Sequence, residues 1–164
     1  MDKLTTAMMQ HAQISESTTF FKAYLETFKD VHVPYYLDKM SLFIDEYVIS
    51  HFEFEEKEVF GTVLERGSRL EKHLIRELQM EHTWLLDKLD GLRDALKHMR
   101  TAGDGDAAYT RKTLRGIMQS LVELNEEVII HAHKEDEQLF PLLRKLNLGI
   151  EGFAHSRAMK NSKD

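Results

Sequence analysis

The sequence predicts an all-α fold, an antiparallel up-down four-helix bundle, from three observations. Four long segments carry apolar residues at the 3.6-residue helical period, and no segment alternates as a half-buried strand does. Only two prolines occur in 164 residues; Pro34 is expected in the turn between the first two helices, and Pro141 is expected to kink the fourth. The joints between the segments are short, which is typical of antiparallel neighbours. We expect one domain over residues 1–150 and a flexible tail over 151–164.

Composition excludes several classes of function. Hydrophobic residues make up 42% and charged residues 30% of the chain, an ordinary globular mixture. The net charge is -6 and no block is rich in Lys or Arg, so we expect no nucleic-acid partner. No run of about 18 apolar residues could span a membrane, and the N-terminus lacks a secretory pattern, so we expect the cytoplasm. Cysteine is absent, which excludes disulfides, thiolate catalysis and iron–sulfur ligation.

The helix boundaries follow from the apolar pattern and from the residues that interrupt it. The first two helices are predicted over residues 4–28 and 37–64. Gly67 then breaks the chain, and Ser68 followed by Glu71 predicts a capping box at the start of the third helix. The next loop and the fourth helix are predicted over residues 101–106 and 107–146.

Each apolar stripe is interrupted near its middle by a histidine, and two of the histidines are followed one turn later by a glutamate. Residues four apart differ by about 40° around a helix, so each His–Glu pair points towards the bundle axis. Left unpaired in the interior, such groups would cost several kcal/mol each, and two divalent or trivalent metal ions would offset that cost. The side chains expected to converge are His11, His51, Glu55, His82, His131 and Glu135.

The two halves of the chain repeat. The segment HFEFEEKEVF at 51–60 aligns with HAHKEDEQLF at 131–140, and in both a phenylalanine stands nine residues after the first histidine. Each segment is preceded by a helix that carries one inward histidine. Two helical hairpins related by a pseudo-twofold axis would place the paired carboxylates symmetrically about a centre of two metal ions.

These motifs resemble those of the hemerythrin-like (HHE) cation-binding family. The resemblance rests on HxxxEExxVF, on HxxxEDxxLFP and on the pair Glu81-His82, and it covers about residues 7–147. It implies a hemerythrin-like bundle that holds two non-haem iron ions, bridged by carboxylates and by an oxo or hydroxo group. The implied terminal ligands are His11, His51, His82 and His131, and the implied bridging ligands are Glu55 and Glu135.

The sequence departs from the oxygen-carrying members of that family at two places. The carriers have a fifth histidine one turn before the position of His82, where this chain has Leu78. They also bridge with an aspartate, which here would be Asp136; Glu135 has the better helical angle, and Asp136 or Glu56 stays open as a substitute ligand. Imidazole and carboxylate ligands suit manganese or zinc as well as iron.

Fewer histidines leave more open metal positions, which favours reactivity or sensing over carriage. The resemblance therefore implies binding of dioxygen or nitric oxide, for sensing, storage or a stress response. The alternative is an enzyme, either a diiron oxidase or peroxidase or a protein that detoxifies nitric oxide or releases iron. The sequence identifies no protein partner.

Several other conspicuous residues receive a structural interpretation. The pair His133 and Glu137 repeats the spacing of the motif but lies on a less apolar face, so we expect it at the surface or behind the ligands. Trp84, Met8 and Met9 are expected to fill the core. The histidines expected outside the site are His32, His73, His98 and His155.

Overall fold

A computed structural model of the chain describes residues 3–27, 33–101 and 107–146. Several predictions concern residues outside these ranges: the tail 151–164, His32, His155 and most of the loop at 101–106. The described residues form four helices without a strand, as the periodicity predicts. None of these helices has an apolar stretch long enough to cross a membrane.

The helices are α1 (Lys3–Thr27), α2 (33–66), α3 (Arg69–Thr101) and α4 (107–146). Helix α2 begins at Val33, earlier than predicted, and Pro34 lies in its first turn. A proline is tolerated there because the amides of the first turn have no partner within the helix. The capping box is confirmed: Ser68 N donates to Glu71 Oε2 at 2.6 Å, and Glu71 N donates to Ser68 Oγ at 3.4 Å.

Gly67, between α2 and α3, is required by close packing. A Cβ atom built on this glycine would lie 2.6 Å from the carbonyl oxygen of Val63, closer than real Cβ atoms approach backbone. The same carbonyl accepts a hydrogen bond from Gly67 N at 2.8 Å, which closes the last turn of α2. The predicted break therefore has a steric cause.

Two of the helices contain π-helical turns that the sequence pattern does not predict. Within α2 these are Phe43–Ile49 and Glu55–Val59, and within α4 the turn is Glu135–Leu139. The second and third begin at the glutamates of the repeated motif, so the two halves match in backbone as well as in sequence. Each π turn widens the helix locally, and such turns are frequent at functional sites. Helix α4 then continues through Pro141 to residue 146.

Ion pairs between neighbouring helices establish the antiparallel arrangement. Near one end of the bundle Lys3 of α1 pairs with Glu58 of α2, whereas near the other end Lys22 of α1 pairs with Glu126 of α4. Helix α3 is antiparallel to both α2 and α4. A residue early in α3 pairs with a residue late in α4, and a residue late in α3 pairs with a residue early in α2. The α3 ion pairs are Lys145–Glu71, Lys88–Glu127, Arg93–Asp45 and Arg100–Asp38.

The apolar interior consists of two clusters. One is built around side chains such as Ile14, Phe43 and Leu121. The other includes Phe60, Leu78 and Phe140. The polar side chains predicted to face inward belong to neither cluster, and on α1, α3 and α4 they fall in sequence between residues of the two clusters. On α2, Glu55 does so, whereas His51 directly precedes Phe52 of the first cluster. The bundle thus has a polar layer with apolar packing on both sides.

The expectation that Trp84, Met8 and Met9 fill the core is wrong. Trp84 is 49% exposed, and the ammonium of Lys88 lies 3.6 Å from the centre of its ring. Both methionines are also close to half exposed, and Ala7 takes the buried position one turn before His11. The apolar pattern does not decide whether a residue at the edge of an apolar stripe is buried or exposed, because contacts with neighbouring helices set the rotation of the helix about its axis.

Candidate metal centre

The six predicted side chains meet at one level of the bundle. The two glutamates, His51 and His82 are fully buried, while His11 and His131 are 8% and 4% exposed. Each of the four helices contributes one histidine, and α2 and α4 each add a glutamate one turn further on. The convergence follows from the register, because each His–Glu pair lies on the same face of its helix.

Within the described part of the chain, these side chains form two groups of possible metal ligands. The first pocket has the histidines His11 and His51, and the second pocket has His82 and His131. Glu55 and Glu135 belong to both pockets. The ligand atoms in each group all lie within 4.8 Å of one another. Two carboxylates shared between two pairs of imidazoles form a frame suited to two neighbouring ions.

The separations inside the pockets match those between two ligands of one ion. Glu135 places Oε2 3.4 Å from His11 Nε2, and Oε1 3.2 Å from His131 Nε2 and 3.5 Å from His82 Nε2. Glu55 places Oε2 3.4 Å from His51 Nε2. Two atoms each about 2.1 Å from a metal are about 3.0 Å apart at a right angle and about 3.4 Å apart at a tetrahedral angle.

The histidines of α1 and α3 are held from behind by carboxylates. Nδ1 of His11 lies 3.0 Å from Oδ1 of Asp136, and Nδ1 of His82 lies 3.2 Å from Oε1 of Glu56. An ionised carboxylate only accepts hydrogen bonds, so Nδ1 carries the hydrogen in each pair. A neutral imidazole in that tautomer presents the lone pair of Nε2 to the pocket, which is the state that a metal requires.

The histidines of α2 and α4 are oriented in the same way. Nδ1 of His51 donates to Oε1 of Gln10 at 3.2 Å, and Nδ1 of His131 donates to Oε2 of Glu81 at 2.7 Å. Lys134 Nζ donates to the second oxygen of Glu81 at 2.5 Å. All four rings therefore have Nδ1 directed at an acceptor and Nε2 directed at the centre.

The inward atoms are left without hydrogen bonds. Among the described residues, no group donates to or accepts from the Nε2 atoms of the four histidines or the carboxylate oxygens of Glu55 and Glu135. A buried polar atom without a partner costs about 1–3 kcal/mol, and more when it is charged. Such a concentration of buried donor and acceptor atoms at one point is typical of a site that binds a ligand or a metal. Nitrogen and oxygen donors of this kind fit divalent or trivalent first-row metals.

The crowding of these groups displaces their pKa values. Burial lowers the pKa of His11, but contacts with Glu135 and Glu55 outweigh burial and raise that pKa to about 10. Burial and then the positive charge of His11 lower the pKa of His51 to about 3. Burial and the neighbouring charge of Glu135 raise the pKa of Glu55 to about 8. Strong perturbation by burial and by a specific charged neighbour is typical of functional sites.

Aromatic rings cover the centre on both sides. Phe60 stacks on His82 with ring centres 5.3 Å apart, and Phe140 stacks on His11 at 5.4 Å. These are the phenylalanines that stand nine residues after the first histidine of each repeated segment. Phe52, which belongs to the first apolar cluster, also stacks on His82, with ring centres 4.2 Å apart. This stacking restricts the orientation of the imidazole planes.

The remaining candidates lie outside the pockets. Asp136 and Glu56, which the sequence left open as substitute ligands, are both 41% exposed and hold histidines through Nδ1. His133 and His73 are exposed by 74% and 65%, and each pairs only loosely with a glutamate four residues on. Leu78 is buried in the apolar packing that includes Phe60 and Phe140.

The sequence reasoning missed Gln10. Its position carries a signal, since Gln10 directly precedes His11 as Glu81 precedes His82 in the other half of the repeat. A single polar residue on a helix surface is otherwise uninformative, and only the packing of α1 against α2 brings Gln10 to His51.

Comparison with known proteins agrees with this geometry. Residues 2–143 match the family model described as "Hemerythrin HHE cation binding domain". Neither a curated protein nor a solved structure shows significant similarity to the chain. The family match spans most of the chain and includes all six residues of the two pockets. The chain therefore belongs to the hemerythrin HHE family and is a metal-binding protein.

Proposed function

We propose that this chain is a non-haem diiron protein that binds dioxygen or nitric oxide inside the bundle, for sensing, storage or a stress response. The observation that carries the proposal is the sharing of Glu55 and Glu135 between two histidine pairs. The six side chains form two groups of four ligands, each within 4.8 Å, and not one group of six, which favours two ions over one. Two shared carboxylates also balance half of the charge of two adjacent divalent cations.

The proposed ligands are His11 and His51 for one ion, His82 and His131 for the other, and the two glutamates as bridges. Iron bound in this way supplies one-electron chemistry and open positions for a diatomic gas. The protein supplies orientation, because acceptors behind each ring hold Nε2 towards the centre. It also supplies an apolar surrounding, which admits small neutral molecules and excludes water and larger polar reductants.

An enzymatic function is the second candidate. Leu78 stands one turn before His82 and is buried in the apolar packing with Phe60 and Phe140, so α3 offers no fifth imidazole at that position. A position left open there favours turnover by an oxidase or peroxidase, or by a protein that detoxifies nitric oxide or releases iron. Both functions use the same six ligands.

Elemental analysis tests the diiron proposal. Protein reconstituted anaerobically with ferrous iron and then desalted should retain about two irons per chain. A Glu55→Ala and Glu135→Ala double variant should retain almost none, while a His73→Ala and His133→Ala double variant should match the parent. One iron or fewer in the parent, or equal retention in both variants, contradicts the proposal.

Stopped-flow spectroscopy separates binding from turnover. The reduced, iron-loaded protein is mixed with dioxygen or with nitric oxide, and the absorption change is followed before and after the gas is removed. A change that reverses on removal supports carriage or sensing. Irreversible oxidation, with hydrogen peroxide accumulating in solution, supports the enzyme. No spectral change with either gas argues against both functions.

A further inference from the structure

The acceptors behind the four histidines follow the pseudo-twofold repeat of the chain. In each half, the residue after the motif glutamate holds the lone histidine of a neighbouring helix: Glu56 holds His82, and Asp136 holds His11. A second rule applies to the other two rings. The residue before the lone histidine holds the first histidine of the repeated segment, as in Gln10 to His51 and Glu81 to His131. The four hydrogen bonds are therefore of two kinds, and each kind occurs once in each half of the chain.

One of the two repeated contacts is chemically unequal in the two halves. Gln10 offers a neutral amide oxygen 3.2 Å from Nδ1 of His51, whereas Glu81 offers a carboxylate oxygen 2.7 Å from Nδ1 of His131. Charge-assisted hydrogen bonds are shorter than neutral ones and about twice as strong. The other repeated contact uses a carboxylate in both halves, so it introduces no such difference.

This chemical difference distinguishes the second pocket from the first. Both histidines of the second pocket, His82 and His131, donate to carboxylates. In the first pocket only His11 does so, because Gln10 stands behind His51. A carboxylate behind an imidazole raises the basicity of the metal-binding nitrogen, and loss of such a partner typically weakens metal binding 10- to 100-fold.

We propose that Gln10 and Glu81 are positioning residues that make the two metal positions unequal, so that the second pocket fills first and binds its ion more tightly. The inference rests on the proposed two-ion function but not on the identity of the metal or the gas. Lys134, which donates to the outer oxygen of Glu81, withdraws part of the negative charge from that residue. The inner oxygen still makes the shortest of the four contacts to Nδ1.

A titration with a diamagnetic ion tests the order of filling. Zinc(II) is added to the metal-free protein in sub-stoichiometric steps, and the imidazole nitrogen shifts of protein labelled with ¹⁵N-histidine are followed by NMR. In the parent, the Nε2 signals of His82 and His131 should move to the shift of a metal-bound nitrogen over the first equivalent, and those of His11 and His51 over the second. Competition with a chelator should give affinities about 10-fold apart.

Exchanging the two acceptors should reverse that order. Gln10→Glu should strengthen the first pocket, Glu81→Gln should weaken the second about 10-fold, and the double exchange should fill the first pocket first. Matched controls are Gln13→Glu, an exposed change on α1, and Glu77→Gln, one turn before Glu81. These controls alter the same charges without touching an imidazole of either pocket, so the order should stay as in the parent.

Two results would overturn the inference, and they are distinguishable. Two zinc ions that fill both pockets in parallel, or an order that the double exchange leaves unchanged, would refute the inference while leaving the two-ion site intact. Binding of fewer than two ions by the parent would refute the proposed function together with the inference. Because each single exchange is read independently, misfolding of one variant still leaves the other as a test.

Discussion

Glutamine in place of Glu135 tests the sharing of a carboxylate between the two pockets. The amide has nearly the volume of the carboxyl group but no charge, so the packing of the buried side chain is preserved. Oε2 of Glu135 lies 3.4 Å from His11 Nε2, and Oε1 lies 3.2 Å from His131 Nε2 and 3.5 Å from His82 Nε2. Glu135→Gln should therefore weaken metal binding in both pockets at once.

The size of the effect follows from linkage between binding and folding. Free metal at about 1,000 times its Kd stabilises the folded protein by about 4.1 kcal/mol per ion, and a 100-fold weaker Kd reduces this to about 1.4 kcal/mol. The loss is about 2.7 kcal/mol per ion and, since Glu135 serves both pockets, about 5 kcal/mol in total. For a chain of this length that corresponds to a fall in Tm of about 10–20 °C. A variant of His131, which serves one pocket, should lose about half as much.

The assay is thermal unfolding of parent and variant, each with and without saturating metal. Burial raises the pKa of Glu135, but its contacts with His11, His131 and His82 outweigh burial and hold that pKa well below its usual range. The metal-free variant should therefore also melt below the metal-free parent, but by less than the loss seen with metal, because the substitution relieves the repulsion between Glu135 and Glu55. Glu137→Gln, a change at a residue that is 67% exposed, is the matched control and should alter neither curve. An equal loss of Tm with and without metal would show that Glu135 stabilises the fold as an ion-pair partner, and the metal reasoning would be refuted.

Four further outcomes are expected. Leu78→His adds an imidazole one turn before His82 and should slow the oxidation of the reduced, iron-loaded protein by dioxygen; loss of iron, or oxidation at the parental rate, would show that position 78 does not reach the second pocket. Metal binding at pH 7 should release about two protons, one from His11 with its pKa of about 10 and one from Glu55 with its pKa of about 8, as calorimetry in buffers of different ionisation enthalpy measures. Both pKa values are raised above their values in the unfolded chain, so the stability that the two groups contribute is lost as pH rises through about 8 and then about 10. The Tm of the metal-free protein should therefore fall between pH 6.5 and 10, and a flat profile would contradict this. Phe60→Ala removes a fully buried ring that stacks on His82 and should cost about 3–5 kcal/mol in chemical denaturation, and a cost below 1 kcal/mol would mean that the ring packs loosely.

The four-helix fold and the inward position of the six side chains were predictable because both follow from local periodicity. A histidine and a glutamate four residues apart share a face of any helix, whatever lies next to it. The repeat of the motif at 51–60 and 131–140 then indicated that two such faces are related. The same reasoning preferred Glu135 to Asp136 at the centre, and the structure places Glu135 there and Asp136 behind His11.

Local periodicity failed where the answer depends on the angle between helices. Trp84 and Met8 lie at the edges of their apolar stripes, and a small rotation of the helix moves such residues from the core to the surface. The π-helical turns at Glu55–Val59 and Glu135–Leu139 have no signal in the apolar pattern. A backbone turn of this kind is stable only when tertiary contacts compensate for its poorer hydrogen bonding.

The sequence by itself determined which histidines and glutamates face the polar layer inside the bundle, and the tertiary structure alone decided which side chains stand behind them. Asp136 meets His11 across 125 residues of sequence, and Gln10 meets His51 across 41. Such contacts form between faces of different helices, so no period within one helix encodes them. They depend on the relative rotation and height of packed helices, which the two apolar clusters and the antiparallel ion pairs set together. For that reason the inward-facing histidines and glutamates were predictable, whereas the inequality between Gln10 and Glu81 required the assembled bundle.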